Sequence, residues 1–434
     1  MTGDSRQNDG ATEQSSGLSR RAFLGSIGGA AVGAGALATG LKLTSSTAPV
    51  VTGSAYAEAA ESFYGTGHQG GIVISPLQSN TLLAAFDLST TRRRDVVDLL
   101  RAWTEAAARL SIGAPVSVGD DDAPDSGEAV GLGPARLTVA FGFGPGLFER
   151  EGEDRYGLKA RRPGALVDLP RFPNDQLVEQ MTGGDLTIQA SADSQQVVFH
   201  AVRQLARVAD GVAAIRWIQD GFNEATATPG TPRNLMGFKD GTINPTTANE
   251  QQRFVWVGPE GPLWMRQGTY LIARRIWIAL SHWDTKSVSI QEQVIGRTKN
   301  SGAPIGEANE FDPLDLNSTD AQGNLLIPLD AHVRLAAPYL NQGRMFLRRA
   351  YNFTDGILNV TERWPPWQQE LTYNSGLLFY AYQRDPREGF IPIYQNLAEN
   401  DALGQFTTHT GSLIAALPPS APGPGHFVGE TLFA

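Results

Sequence analysis

Two stretches of this chain carry the same order of hydrophobic periods, and that repetition limits the fold more than any other feature. In the first, Thr81–Leu88 reads as a strand. Arg92–Leu110 then reads as an amphipathic helix, with Val96, Val97, Leu100, Trp103, Ala107 and Leu110 on one face. A loop rich in Gly, Pro and Asp follows over 111–134, and Arg136–Phe143 and Asp185–Ala190 alternate like strands. Asp193 stands where it could cap a helix over Ser194–Val208, and Gly211–Gln219 closes the unit as a strand. In the second stretch the strands are Gly268–Leu280, Arg344–Phe353, Gly376–Gln383 and His409–Leu417, and the helices are Trp283–Ile295 and Glu388–Asn400. Strand, helix, strand, strand, helix, strand is the ferredoxin-like order. The expected fold is therefore α+β: tandem ferredoxin-like domains with antiparallel sheets, akin to a dimeric α+β barrel. The repeat is one of pattern, since residue identity between the halves is negligible. The expected domains are 58–224 and 225–434, joined by a loop over Ala225–Asn249 rich in Thr, Pro and Gly, with a Pro-rich arm over 418–425.

Residues 1–57 read as a separate targeting segment. A polar stretch leads to Ser19-Arg20-Arg21-Ala22-Phe23-Leu24, and Ala22–Leu41 then carries no charge. Twelve of those twenty residues are Gly or Ala, which makes a weak candidate for a membrane-spanning helix. Ala55-Tyr56-Ala57 is a small-x-small cleavage pattern. Together these resemble a twin-arginine (Tat) export signal, with an uncleaved anchor as the alternative. The expected partner is the twin-arginine export machinery, which carries folded proteins, and the expected location is extracellular, periplasmic or cell-envelope associated.

Composition removes several chemistries. The 434 residues include no Cys, so disulfides, thiolate metal sites, iron–sulfur clusters, thiol nucleophiles and c-type haem attachment are excluded. A net charge of −10 argues against nucleic acid as a partner. There is no G-x-S-x-G elbow, no Gly-Lys pair of a P-loop and no H-E-x-x-H. The G-x-G-x-x-G at Gly65–Gly70 precedes the strand-like Ile72–Ser75 and opens no helix, so it is no dinucleotide fingerprint. The acidic run Asp120-Asp121-Asp122 with Asp125 reads as a solvated loop.

Six histidines remain. His200 sits in a helical repeat, and His68, His282, His409 and His426 lack catalytic neighbours. His332 stands apart, in Ala331-His332-Val333-Arg334, just before the strand that holds Arg348 and Arg349. Its company includes Gly237-Phe238-Lys239-Asp240-Gly241-Thr242 in the central loop, where an Asp between glycines ordinarily makes a turn.

Those three segments, together with Tyr64–Ile72, resemble the dye-decolorizing peroxidase family. Gly237–Gly241 matches its G-x-x-D-G signature, Leu347-Arg348-Arg349 its distal-arginine strand and Tyr64–Ile72 its N-terminal segment. The resemblance spans the chain after the signal. The signal points to the exported bacterial members, which include the peroxidase/deferrochelatase proteins of iron uptake.

The resemblance implies one non-covalent b-type haem per chain, held in the second half. It implies His332 as proximal iron ligand; the other ring nitrogen then needs an acceptor, for which Asp385 is the first choice from the sequence and Glu388 the rival. It makes Asp240 the distal acid/base, which moves a proton from one peroxide oxygen to the other. Arg348 would stabilise the charge that develops as the O–O bond breaks. Gly241, Thr242, Ile243, Ala337, Pro338 and Tyr339 would contact haem, and Arg334 would meet a propionate or solvent. Arg349 should face the other side of its strand. Some members carry Asn two residues after the distal Arg; here that position is Ala350. An unperturbed Asp titrates near pH ~3.9, so dye oxidation is expected to favour acid. Tyr380, Tyr382, Trp364 and Trp367 are candidates for radical transfer to bulky donors.

Three functions follow in order. The first is a haem peroxidase that uses hydrogen peroxide on dyes, phenolics or similar donors. The second is a deferrochelatase that releases iron from haem, with iron-uptake proteins as partners. The third is an exported non-catalytic binding module. A homodimer is the open oligomeric expectation.

Overall fold

Eight strands of the described residues close into one antiparallel barrel in the order β1-β3-β2-β8-β5-β7-β6-β4. They are β1 Asn80–Leu88, β2 Thr138–Phe143, β3 Leu186–Ala192, β4 Ala213–Phe222, β5 Thr269–Ile278, β6 Leu347–Thr361, β7 Gln369–Gln383 and β8 Thr407–Leu417. The computed structural model describes residues 59–434 apart from 66, 74–75, 117–123, 174, 225–229 and 362–368. The export segment with its cleavage pattern, the acidic run Asp120–Asp122, Trp364 and Trp367 lie outside the described residues, as do parts of the N-terminal segment and of the central loop.

Each half supplies four strands. Within a half the ladders are long, as in β1 with β3 and β5 with β7. Between halves they shrink to single pairs, Phe143↔Ala416 and Phe222↔Asn352. The chain is thus α+β and ferredoxin-like in each half, with both sheets curved into one closed surface that leaves few edges unpaired.

Strand alternation sorts the side chains into two layers. Leu83 and Ala85 of β1, Leu271 and Ala273 of β5, and Leu413 and Ala415 of β8 share the barrel interior with Tyr351, Tyr380 and Tyr382. Their neighbours Leu82, Ala84, Phe86, Tyr270, Ile272, Ile414 and Ala416 face outward onto helices. In the first half that outer layer is packed solid. The helices Arg93–Leu110 and Gln195–Val208 cover it, and Trp103 stacks on Phe141 at 5.4 Å and meets Phe86 edge-on at 5.2 Å. The Trp103 indole N–H donates to the Leu205 carbonyl at 2.8 Å, so its one polar atom is satisfied.

Two local details differ from expectation. The cap of the helix Gln195–Val208 is Ser194, which accepts from Val197 N, while Asp193 takes Arg136 and the amide of Ser79. The expected helix Trp283–Ile295 is two short ones, Leu280–Asp284 and Val288–Ile295. Ser287 begins a new helix by accepting from Ile290 N.

Candidate functional site

In the second half the corresponding outer layer is not filled by side chains. Between β5, β7, β6 and β8 and the helices Val288–Ile295, His332–Ala336 and Phe390–Asn400 lies a cavity of about 1650 Å³, counting its open mouth. The part of its wall formed by β5 and β7 is apolar, with Ile276, Ile278, Leu377 and Phe379 facing it. Its polar lining includes Asp240, Arg348, Arg297, His332, Asp401 and His409.

Asp240 sits in a loop fixed on both sides. Gly237 at φ +87° and Gly241 at φ +114° adopt backbone that favours glycine, which gives the G-x-x-D-G spacing a conformational cause. A Cβ on Gly237 would come within 2.6 Å of Lys299 Cε. Phe238 is buried against Trp283, and Lys239 pairs with the buried Glu310. Burial raises the pKa of Glu310, but hydrogen bonds from Lys239, Thr231 and Thr242 outweigh it and hold the carboxyl below its usual range. Asp240 Oδ1 then lies 3.2 Å from Arg348 Nη2, and Asn234 Nδ2 lies 3.4 Å from Oδ2.

Arg348 faces outward from β6 into this cavity. Its backbone is clamped by the Asn244 side chain, which accepts from Arg348 N at 2.7 Å and donates to Arg348 O at 3.0 Å. Arg348 Nε is buried with no hydrogen-bond partner among the described residues, a donor unsatisfied beside the cavity. Arg349 points the other way, as strand alternation requires, and is buried among Tyr351 and Tyr382 in the barrel. Arg297 contributes a second guanidinium, anchored on the carbonyls of Gly302 and Glu310 at 2.7 and 2.9 Å. Burial, and then Arg348, lower its pKa.

Two histidines line the cavity, and their hydrogen bonds tell them apart. His409 is spent at both nitrogens: Arg274 Nε donates to Nδ1 at 3.1 Å, and Nε2 lies 2.8 Å from the Tyr394 hydroxyl. Burial, then the nearby Arg274 charge, lower its pKa well below the usual imidazole range. Among the described residues His332 uses only Nδ1, 2.6 Å from Asp401 Oδ2. A carboxylate at Nδ1 accepts a hydrogen bond from the proton held there, so that Nε2 keeps a free lone pair, the form in which imidazole ligates a metal.

The acceptor for His332 is therefore neither Asp385 nor Glu388. Asp385 pairs with Arg387 at 2.5 Å, and both acids line a separate cavity. Of the expected contact residues, Thr242, Ile243, Ala337 and Pro338 line the cavity, and Gly241 shapes the loop. Tyr339 is 83% exposed and lies outside the lining. Arg334 meets neither a propionate nor solvent: it is buried, with Nε on Ile327 O at 3.1 Å and Nη2 on Leu316 O at 2.5 Å, holding the loop below the helix His332–Ala336. Tyr380 and Tyr382 are fully buried inside the barrel and present no surface to a bulky donor. Asn244, Arg297, Asp401 and His409 are cavity or positioning residues that the sequence motifs did not single out.

Comparison with known proteins agrees with this geometry. The family model for the N-terminal part of Dyp-type peroxidases matches residues 69–223, and that for the C-terminal part matches 231–421. A dye-decolorizing peroxidase of Thermobifida fusca is 39% identical over 352 residues, covering 79% of this chain and 76% of the relative. A deferrochelatase of Yersinia pestis is 33% identical over 383 residues, 85% of this chain and 84% of the relative. Among solved structures, the oxyferrous complex of DtpA from Streptomyces lividans is 38% identical with a TM-score of 0.78, covering 87% of this chain and 98% of that one. A DyP-type peroxidase from Cellulomonas bogoriensis is 37% identical with a TM-score of 0.75, over 86% and 98%. These relatives set aside the non-catalytic module: the chain belongs to the Dyp-type peroxidase family and is a haem peroxidase of the dye-decolorizing type.

Proposed function

We propose that the cavity of the second half holds one non-covalent b-type haem, with His332 Nε2 as iron ligand and Asp240 and Arg348 as the acid/base and charge-stabilising pair. The residues present suit that group: an apolar strand wall for the ring, an imidazole lone pair for the iron, and guanidinium groups for anionic edges. When bound, haem supplies the iron that reduces hydrogen peroxide by two electrons. The protein's part is protonic and electrostatic. Asp240 takes a proton from one peroxide oxygen and returns it to the other, which leaves as water. Arg348 neutralises negative charge on the departing oxygen, and its unsatisfied Nε offers a further hydrogen bond. Asn234 and Asn244 hold the pair in place.

The observation that carries the reading is the single free imidazole nitrogen in the same cavity as the Asp240–Arg348 pair. Dyes, phenols or similar donors then restore the protein. The test is an absorption spectrum of purified protein before and after one equivalent of peroxide. A Soret band that changes on mixing supports the reading, and a His332→Ala protein that retains its haem overturns the ligand assignment.

The deferrochelatase relatives support a second reading, iron release from haem. Asp240→Ala and Arg348→Ala separate the two: iron release that survives loss of peroxide turnover favours the second. The proposal includes export by the twin-arginine route, supported by Ser19–Leu24 and Ala55-Tyr56-Ala57.

A further inference from the structure

Beside the haem cavity lies a second one, of about 1580 Å³ counting its mouth. The two share only Arg344 and Met345 in their linings, so these two residues border both cavities. This second cavity is the more polar, and four arginines line it: Arg253, Arg344, Arg384 and Arg387.

Two of the four are committed. Arg384 grips Glu260 with Nε and Nη2 at 2.7 and 2.6 Å, and that bidentate pairing holds the Glu260 carboxyl at a pKa of about 2. Arg387 grips Asp385 with Nε and Nη2 at 2.9 and 2.5 Å. The other two have no carboxylate partner among the described residues. Arg253 lies 4.8 Å over the Phe254 ring, and Arg344 stands on the shared wall. Apolar and aromatic surface accompanies them: Phe254, Val257, Pro262 and Tyr270 also face the cavity. Two uncommitted guanidinium groups beside aromatic surface form a site for a flat organic anion, since guanidinium pairs with carboxylate or sulfonate and the rings cover the apolar body. Glu388 also lines the cavity without an ion pair among the described residues, so four arginines face three carboxylates there, a local excess of one positive charge on a chain of net charge −10.

We infer that this second cavity binds an aromatic carboxylate or sulfonate as the electron donor, with Arg253 and Arg344 on its anionic group, beside the wall it shares with the haem cavity. The inference rests on the haem peroxidase reading. In each cycle peroxide gains two electrons and two protons and becomes two waters. Two donor molecules each lose one electron, and a phenolic donor also releases its proton through the cavity mouth.

The test separates binding from turnover. Titration of the haem-loaded protein with 2-naphthalenesulfonate, a redox-inert aromatic anion, should show saturable binding. Arg253→Gln, which alters only the second cavity, should weaken that binding roughly tenfold, and Arg344→Gln should weaken it at least as much. In turnover, Arg253→Gln should raise KM for ABTS, a bis-sulfonate, by a similar factor. It should leave kcat/KM for guaiacol, a neutral phenol, and the rate of the spectral change with peroxide alone unaltered. Unchanged naphthalenesulfonate affinity in Arg253→Gln, or an equal loss for both donors, overturns the inference. A wild-type protein that binds the sulfonate but gives no spectral change with peroxide would overturn the peroxidase reading instead.

Discussion

His332 Nδ1 and Asp401 Oδ2 lie 2.6 Å apart, joining the short helix His332–Ala336 to the residue that ends Phe390–Asn400. The carboxylate sets the tautomer and orientation of His332, the proposed iron ligand. Asp401→Ala should therefore weaken haem affinity by roughly 10–100-fold and shift the iron midpoint potential upward. Because Asp401 also accepts from Leu403 N at 2.8 Å, the Ala variant loses a cap worth about 1 kcal/mol as well. Asp401→Asn keeps much of that cap, so a potential shift in Asn with little loss of thermal stability isolates the effect on His332. Haem titration and spectroelectrochemistry measure both.

Removing the proposed acid/base should be felt in one step. Asp240→Asn should slow the reaction with peroxide by roughly 10²–10⁴-fold, with haem content unchanged. Arg348→Leu should cost roughly 10²–10³-fold. The double variant should lose less than the product of the two, because the residues contact each other at 3.2 Å and act as a unit. Stopped-flow mixing with peroxide, monitored at the Soret band, reads all three.

Acid should destabilise the fold through His409. Its folded-state pKa is depressed by burial and by Arg274, so the unfolded chain binds a proton that the folded chain refuses. Stability is then complete above pH ~6.5, the unfolded value, and falls as pH drops below it. The slope from one such group is at most about 1.4 kcal/mol per pH unit. In His409→Gln that decline between pH ~6.5 and ~5 should flatten in denaturant titrations. An undiminished acid slope would assign the effect to other groups.

The first half should tolerate no hole. Trp103→Ala removes a fully buried ring stacked on Phe141, and the loss should be about 3–5 kcal/mol of stability. The folded fraction should bind haem as the parent does, since Trp103 does not line the cavity. A guanidinium melt combined with haem titration checks both statements.

Replacing Arg20 and Arg21 with Lys should leave the protein inside the cell with its first 57 residues attached, as immunoblots of fractionated cells would show.

The sequence made the element order legible because period and spacing are local properties. β1, β5 and β8 begin within about two residues of where alternation put them. Alternation also set Arg348 and Arg349 on opposite faces. It did not say which face is the barrel interior, because in a closed barrel covered by helices both are buried, and so Tyr380 and Tyr382 passed for accessible residues. The site was legible where a motif is contiguous, as around Asp240. It was hidden where chemistry depends on return of the chain: Asp401 is 69 residues from His332 and reads as an ordinary turn residue after a helix. Arg334 misled for the converse reason, since a charged side chain near the proposed ligand histidine looks functional until the carbonyls of Leu316 and Ile327 are seen to occupy it.

The contrast between the two outer layers bears on how such a protein tolerates a large opening. A cavity removes packing contacts and so withdraws stability from the half that contains it. Here the same architecture occurs twice in one closed barrel, and the packed copy cradles Trp103, Phe86 and Phe141 where its counterpart stays open. The repeated arrangement divides labour: one half acts as ballast, and substitutions that reshape the other draw on a reserve held elsewhere in the same sheet.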